Sequence, residues 1–206
     1  LRSSGAERQR ILFHCHTILQ NYDIRGLTAQ FIEQVRLLGL PLSGPWAVRS
    51  SATNEDGARA SFAGVYRTRL GIPIEDVGLA VKDLWMSIWD ERVLNYHATS
   101  ELTGAPPAMA IVLQPLLEAS AAGVAYSVHP LTGRATQVVV NAVSGLAATL
   151  VDGRITPDQY VVEIAEDNQP IRIGERTIAG QIQALRMTDQ GLQQMTLPDE
   201  ALGLAT

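Results

Sequence analysis

Val48-Arg49-Ser50-Ser51-Ala52-Thr53-Asn54-Glu55-Asp56-Gly57, followed by Ser61-Phe62-Ala63-Gly64, is the stretch on which the reading of this chain turns. A strand entering at Trp46-Ala47-Val48 delivers an arginine and two serines into a turn dense in small residues. Backbone N–H groups in such a turn are free to point at an anion, and a guanidinium forks two hydrogen bonds onto phosphate oxygens. Gly64, with no Cβ, lets the backbone approach a phosphate chain closely. The same residue types also describe a Ser/Asx-rich turn that caps a helix, with Arg49 held in a structural ion pair. Residue types alone leave both readings open.

Outward from this stretch, the composition is that of an ordinary globular protein: 206 residues, 46% hydrophobic and 18% charged. That length suits one large domain or two small ones. No apolar run reaches the roughly 18 residues that a membrane span needs. The first ten residues are polar, without the apolar stretch of a signal peptide. The chain begins with Leu1 and not Met, which reads as an excised or processed piece. The single cysteine, Cys15, has no internal partner for a disulfide, so an intracellular, cytoplasmic setting is expected. A net charge of −5 argues against a nucleic-acid binder that works by neutralising phosphates. Lys82 is the only lysine, so any lysine-dependent chemistry has one candidate.

Periodicity predicts helices over 8–22, 28–38 and 75–96, the last opened by acidic residues as the helix dipole favours. After Gly104-Ala105-Pro106-Pro107 the period changes to that of strands. Strands are expected over 109–117, 123–128, 137–143 and 159–164, with a short one at 170–173. The expected class is α+β, with a helical first half, 1–107, and an antiparallel-sheet-rich second half, 108–206, as two lobes flanking a ligand cleft.

Val48-Arg49-Ser50-Ser51-Ala52-Thr53, then Glu55-Asp56, then Ser61-Phe62-Ala63-Gly64, resembles the signature of the nucleotide-binding domain shared by phosphoenolpyruvate synthase, pyruvate phosphate dikinase and rifampin phosphotransferase. Further elements agree in order. Met109 to Gln114 resembles a family strand ending in Gln, and Gly123-Val124-Ala125-Tyr126-Ser127 with Pro130 and Thr132-Gly133 resembles a family hairpin. Gly145-Leu146 and Thr156-Pro157-Asp158 with Tyr160 resemble the elements that follow. The resemblance covers Trp46 to Val162.

It implies an ATP-grasp-like fold in which ATP, with magnesium, lies between two α+β lobes. Phosphate then passes to a histidine on a separate domain and on to an acceptor such as pyruvate. By matching position it implies that Arg49 contacts the ATP phosphates. Ser51, Ala52 and Thr53, with Ser61, Phe62, Ala63 and Gly64, would form the phosphate-covering loops. Gln114, Pro115, Leu116 and Leu117 would form the hinge whose backbone meets adenine, with Pro115 removing one donor. Implied partners are ATP and the phosphohistidine and acceptor domains of a parent protein, with no nucleic acid and no membrane.

The departures set the competing expectation. The family's N-terminal lysine has no counterpart, and its Gly-Leu-Gly-Glu reads Gly145-Leu146-Ala147-Ala148, without the carboxylate. The segment after Leu197-Pro198-Asp199-Glu200 that resembles the run-up to the family's metal ligands stops at Thr206. The fold is therefore expected to be incomplete at both ends. The chain alone is expected to be inactive although its family is one of ATP-dependent phosphotransferases. The alternatives are a truncated or decayed module that only binds nucleotide or a partner, and the ATP module of a rifampin-type phosphotransferase.

Other positions carry weaker signals. His14, Cys15 and His16 are adjacent on one helix and point to different sides, so no metal site is expected there. His129 reads as a turn histidine and Asp158 as a strand-entry residue. Arg92, on the apolar face of the third helix, reads either as a cleft arginine reaching phosphate or as a partner of Glu101. Trp85 and Trp89 read as core.

Overall fold

The computed structural model describes residues 5–53, 56–57, 60–61, 66–91, 93, 95, 108–164 and 172–197. The chain divides into two compact units, Leu1–Leu116 and Leu117–Thr206.

The first unit opens with α1 (Gly5–Asn21) and α2 (Arg25–Leu37). Then come β1 (Trp46–Ala52), the two-residue strands β2 (Asp56–Gly57) and β3 (Ala60–Ser61), β4 (Thr68–Ile72) and α3 (Val77–Ser87), and the unit ends with β5 (Met109–Pro115). Strands β4, β1 and β5 form a three-stranded antiparallel sheet with β1 in the middle. Strand periodicity separates its two faces. On one, Trp46 and Val48 of β1 pack with Val35 of α2 and with Val77, Ala80, Val81 and Leu84 of α3, joined by Ile111 and Leu113 of β5. Phe31 meets the Trp46 ring edge-on, with centroids 5.0 Å apart. Trp85 packs on this cluster as expected, and its indole N–H donates to the Met109 carbonyl at 3.3 Å.

Several sequence expectations shift here. The boundary between units falls after Leu116 and not after residue 107, because β5 pairs with β1 along its whole length, from Trp46↔Pro115 to Ala52↔Met109. For the same reason the first half is mixed and not simply helical. β1 does not end at Val48: paired with β4 as far as Arg49 and with β5 all the way to Ala52, it makes Arg49 and Ser51 strand residues and not turn residues. The third helix, expected over 75–96, is interrupted, with Glu91, Val93 and Asn95 helical again after the break. A 3₁₀ turn, Ile74–Asp76, precedes α3, and Trp89 and Asp90 lie in a turn beyond its end. Arg92 lies outside the described residues.

The second unit holds a four-stranded antiparallel sheet in the order β6 (Ala121–Tyr126), β7 (Gln137–Ser144), β8 (Asp158–Glu163), β9 (Arg172–Thr177). A one-turn helix, α4 (Ala148–Val151), links β7 to β8. A separate hairpin, β10 (Gln183–Thr188) and β11 (Gly191–Thr196), closes the unit and was not anticipated from the sequence. Its signal was local: Asp189-Gln190 as a two-residue connection before Gly191 at φ +98°. Gly145, at φ +75°, ends β7. A Cβ there would run into the Leu185 carbonyl of β10, the group that accepts the Leu146 N–H at 2.8 Å. Among the described residues no helix is long and apolar enough to cross a membrane.

Candidate functional site

The site begins with the second face of the β4-β1-β5 sheet, the one turned away from α2 and α3. Arg49 and Ser51 of β1 stand exposed on it. The cross-strand register brings Val112 opposite Arg49 and Ala110 opposite Ser51, with Gln114 one position further along β5. Ala110, Val112 and Gln114 are the exposed members of that strand, and Val112 is 46% exposed. Thr68 of β4 sits opposite Arg49 on the other side. The face thus offers a guanidinium flanked by two hydroxyls, a small apolar patch and one carboxamide. It extends over about 13 Å at the usual rise per strand residue.

The Arg49 side chain makes no hydrogen bond and no ion pair among the described residues. The two arginines of the β4 region are committed. Arg67 reaches Asp90 at 2.5 Å and Asp83 at 3.7 Å, and Arg69 reaches Asp83 at 2.6 Å. The unpaired guanidinium on the open face is what can take an anion.

The remaining site residues fall into separate groups. Ala52 is buried against Tyr66 and Val93, so its methyl faces the core and not a ligand. Thr53 is exposed just past β1, its N–H donating to the Ala108 carbonyl at 3.0 Å. Ser61 lies in β3, paired with Asp56, while Phe62, Ala63 and Gly64 lie outside the described residues. Past Gln114, Pro115 has no N–H, and the Leu116 N–H donates to the Pro45 carbonyl at 2.9 Å. Leu117 is 78% exposed, and its amide is the one in that run without a partner among the described residues. The hinge segment therefore has less hydrogen-bonding capacity than its sequence suggested.

Other sequence candidates have structural tasks. The Lys82 ammonium donates to the Gln20 carbonyl and, at 3.3 Å, to the Tyr22 carbonyl, fastening the end of α1 to α3. His129 accepts the Leu131 and Thr132 N–H groups at Nδ1, at 3.3 and 3.4 Å, and so caps its own turn. Buried Asp158 opens β8 and accepts the Ala179 N–H at 2.9 Å. No group of three His, Cys, Asp or Glu able to hold a metal occurs among the described residues, His14, Cys15 and His16 included. The Arg25 side chain and backbone N–H hold the Asp23 carboxyl down to about 2.

Sequence reasoning missed Gln181. Its side-chain oxygen accepts the Ser144 N–H and its amide donates to the Ala142 carbonyl, both at 2.9 Å, binding the segment before β10 to the end of β7. A contact across so many residues leaves no local signature.

The family described as the pyruvate phosphate dikinase AMP/ATP-binding domain matches residues 22–203. A phosphoenolpyruvate synthase of Aeropyrum pernix is 39% identical over 117 residues, 56% of this chain and 14% of that protein. The prodigiosin synthesizing transferase PigC of Serratia marcescens is 42% identical over 120 residues, 58% of this chain and 13% of that protein. The uncharacterized phosphotransferase YvkC of Bacillus subtilis is 38% identical over 133 residues, 64% of this chain and 16% of that protein. The chain thus spans about one-seventh of the length of these relatives.

Proposed function

Since this chain belongs to the pyruvate phosphate dikinase AMP/ATP-binding domain family, we propose that it binds ATP on the open face of the β4-β1-β5 sheet, with Arg49 as the clamp on the phosphates. In the parent protein it serves as the nucleotide-binding part of a cytoplasmic, ATP-grasp-like phosphotransferase. That enzyme passes phosphate through a histidine-bearing domain to pyruvate or a related acceptor. The supporting observation is the unpaired guanidinium of Arg49, exposed on a rigid central strand between the hydroxyls of Ser51 and Thr68.

Such a clamp works by position and charge. Phosphoryl transfer asks the protein chiefly to orient the phosphates and offset their charge, and a strand paired on both sides holds its side chains with little freedom. Arg49 is therefore an electrostatic and positioning group and not a proton carrier. Thr53, Ser61, Phe62, Ala63 and Gly64 complete the phosphate cover in this reading, and Arg92 adds a second cation. Gln114 and Leu117 are left to meet the base. Magnesium would accompany ATP in this reading, held by carboxylate and phosphate oxygens.

A second reading, a module that binds nucleotide or a partner without catalysis, is favoured by Lys82. The only lysine is spent on carbonyls at the end of α1 and has no phosphate to serve. Calorimetric titration with ATP, with Arg49→Ala as control, tests the proposal. Saturable binding that weakens by about 10-fold or more in the variant is expected for a lost charge-assisted pair. Equal binding by the two proteins would overturn the assignment of Arg49. Binding with no turnover in the full-length parent would favour the second reading.

A further inference from the structure

The β1/β4 pair carries three arginines within a few residues of one another, Arg49, Arg67 and Arg69, yet one alone reaches the open face unpaired. Two independent features produce that outcome. The first is a bulge. The pairing runs Trp46↔Ile72 and then Val48↔Arg69, so Leu70 and Gly71 together oppose Ala47, with Gly71 at φ +74°. Had the register of Trp46↔Ile72 continued unbroken, Arg69 would lie directly opposite Arg49. Two like charges would then share the open face, which destabilises a strand pair. The extra residue shifts the pairing by one, so Thr68 takes that place and Arg69 turns to the helix side.

The second feature waits on that side. Asp83 of α3 accepts from Arg69 through both Nε and Nη2, at 2.7 and 2.6 Å, and also faces Arg67. Asp90, just beyond α3, takes Arg67. Arg67 and Arg69 remain 43% and 45% exposed, so burial does not keep them from an anion; their carboxylate partners do.

We infer that Asp83 and Asp90, with the Gly71 bulge, determine where this sheet binds anions: they neutralise Arg67 and Arg69 and leave Arg49, of the three, as the guanidinium free to dock a polyphosphate. This rests on the proposed role of Arg49 and adds the residues that make the site single and one-sided. A chain with all three guanidiniums free would hold a polyphosphate in several registers, and a donor phosphate must sit in one.

The test uses inorganic tripolyphosphate as probe, titrated into the wild-type chain, Arg49→Ala, and Arg49→Ala combined with Asp83→Asn and Asp90→Asn. The wild type should bind, Arg49→Ala should lose binding, and the triple variant should regain it to about 10-fold tighter than Arg49→Ala. A folded triple variant no better than Arg49→Ala would overturn the inference. Wild-type binding that Arg49→Ala leaves intact would instead overturn the role of Arg49. Should the triple variant not fold, phenylglyoxal labelling of the wild type with peptide mapping decides. Arg49 should react several-fold faster than Arg67 and Arg69, and equal rates would overturn the sorting.

Discussion

The two units solve the problem of a stable sheet differently. In the first, helices cover one face with Val35, Val77, Val81 and Leu84 against Trp46 and Val48, an apolar seal with no buried polar partner to satisfy within that cluster. In the second, the buried residues include polar groups, Ser144, Thr149, Asp158 and Gln181, as well as Val139, Val143 and Val161. An apolar cluster needs only shape and volume, whereas a buried polar group must meet its partner or lose the water it gave up. The first arrangement frees the opposite face of its sheet to carry Arg49, Ser51 and Gln114. The second uses some of its polar groups as fasteners, Gln181 on β7 and Asp158 on Ala179, while the Thr149 and Tyr160 hydroxyls and the Arg186 Nε are buried with no hydrogen-bond partner among the described residues.

The largest expected effect tests the apolar seal. Leu84→Ala, at a fully buried position, should cost about 3–5 kcal/mol in urea unfolding, as cavity formation in a packed core does. A loss under about 1 kcal/mol would mean that α3 contributes little to holding the sheet. Next comes the polar fastening. Gln181→Ala leaves the Ser144 N–H and the Ala142 carbonyl without their partner and should cost about 2–3 kcal/mol. Hydrogen exchange should show the Ser144 amide losing protection while the amides of β1 keep theirs. Equal loss in both units would contradict the independence of the two cores.

The smallest effect belongs to the exposed Asp23–Arg25 pair between α1 and α2. Because the folded carboxyl titrates at about 2 and not 3.8, its contribution is fully present above about pH 4 and is lost as pH falls through about 2. The difference between wild type and Asp23→Asn in urea midpoint should shrink over that window. A difference constant from pH 6 to pH 2 would assign it to something other than this charge.

Much of the architecture was legible locally. Helix periodicity found α1 and α2 to within a few residues, and alternation found β5 to β8, because those signals depend on near neighbours. The end of β1 was not legible. Arg49-Ser50-Ser51-Ala52 has turn-like composition, and it is the pairing with β5, from a distant part of the chain, that keeps it extended as far as Ala52. The hairpin β10–β11 was missed because its strands, Gln183–Thr188 and Gly191–Thr196, mix polar and apolar residues without a clean alternation. The commitment of the Leu116 N–H to Pro45, and of Lys82 to the end of α1, are likewise contacts between distant residues.

The sequence by itself determined the mixed helix-and-strand class, the family resemblance carried by residues 46–162, and Arg49 as the residue to watch, since all three rest on residue type and short spacing. Only the tertiary structure decided which arginine is free. Arg49, Arg67 and Arg69 are alike in sequence. They differ because a one-residue bulge puts them on opposite faces of a strand pair and because the carboxylates of Asp83 and Asp90 lie on one of those faces. Charge is written in the sequence, but the neutralisation of charge depends on distances that the fold alone sets.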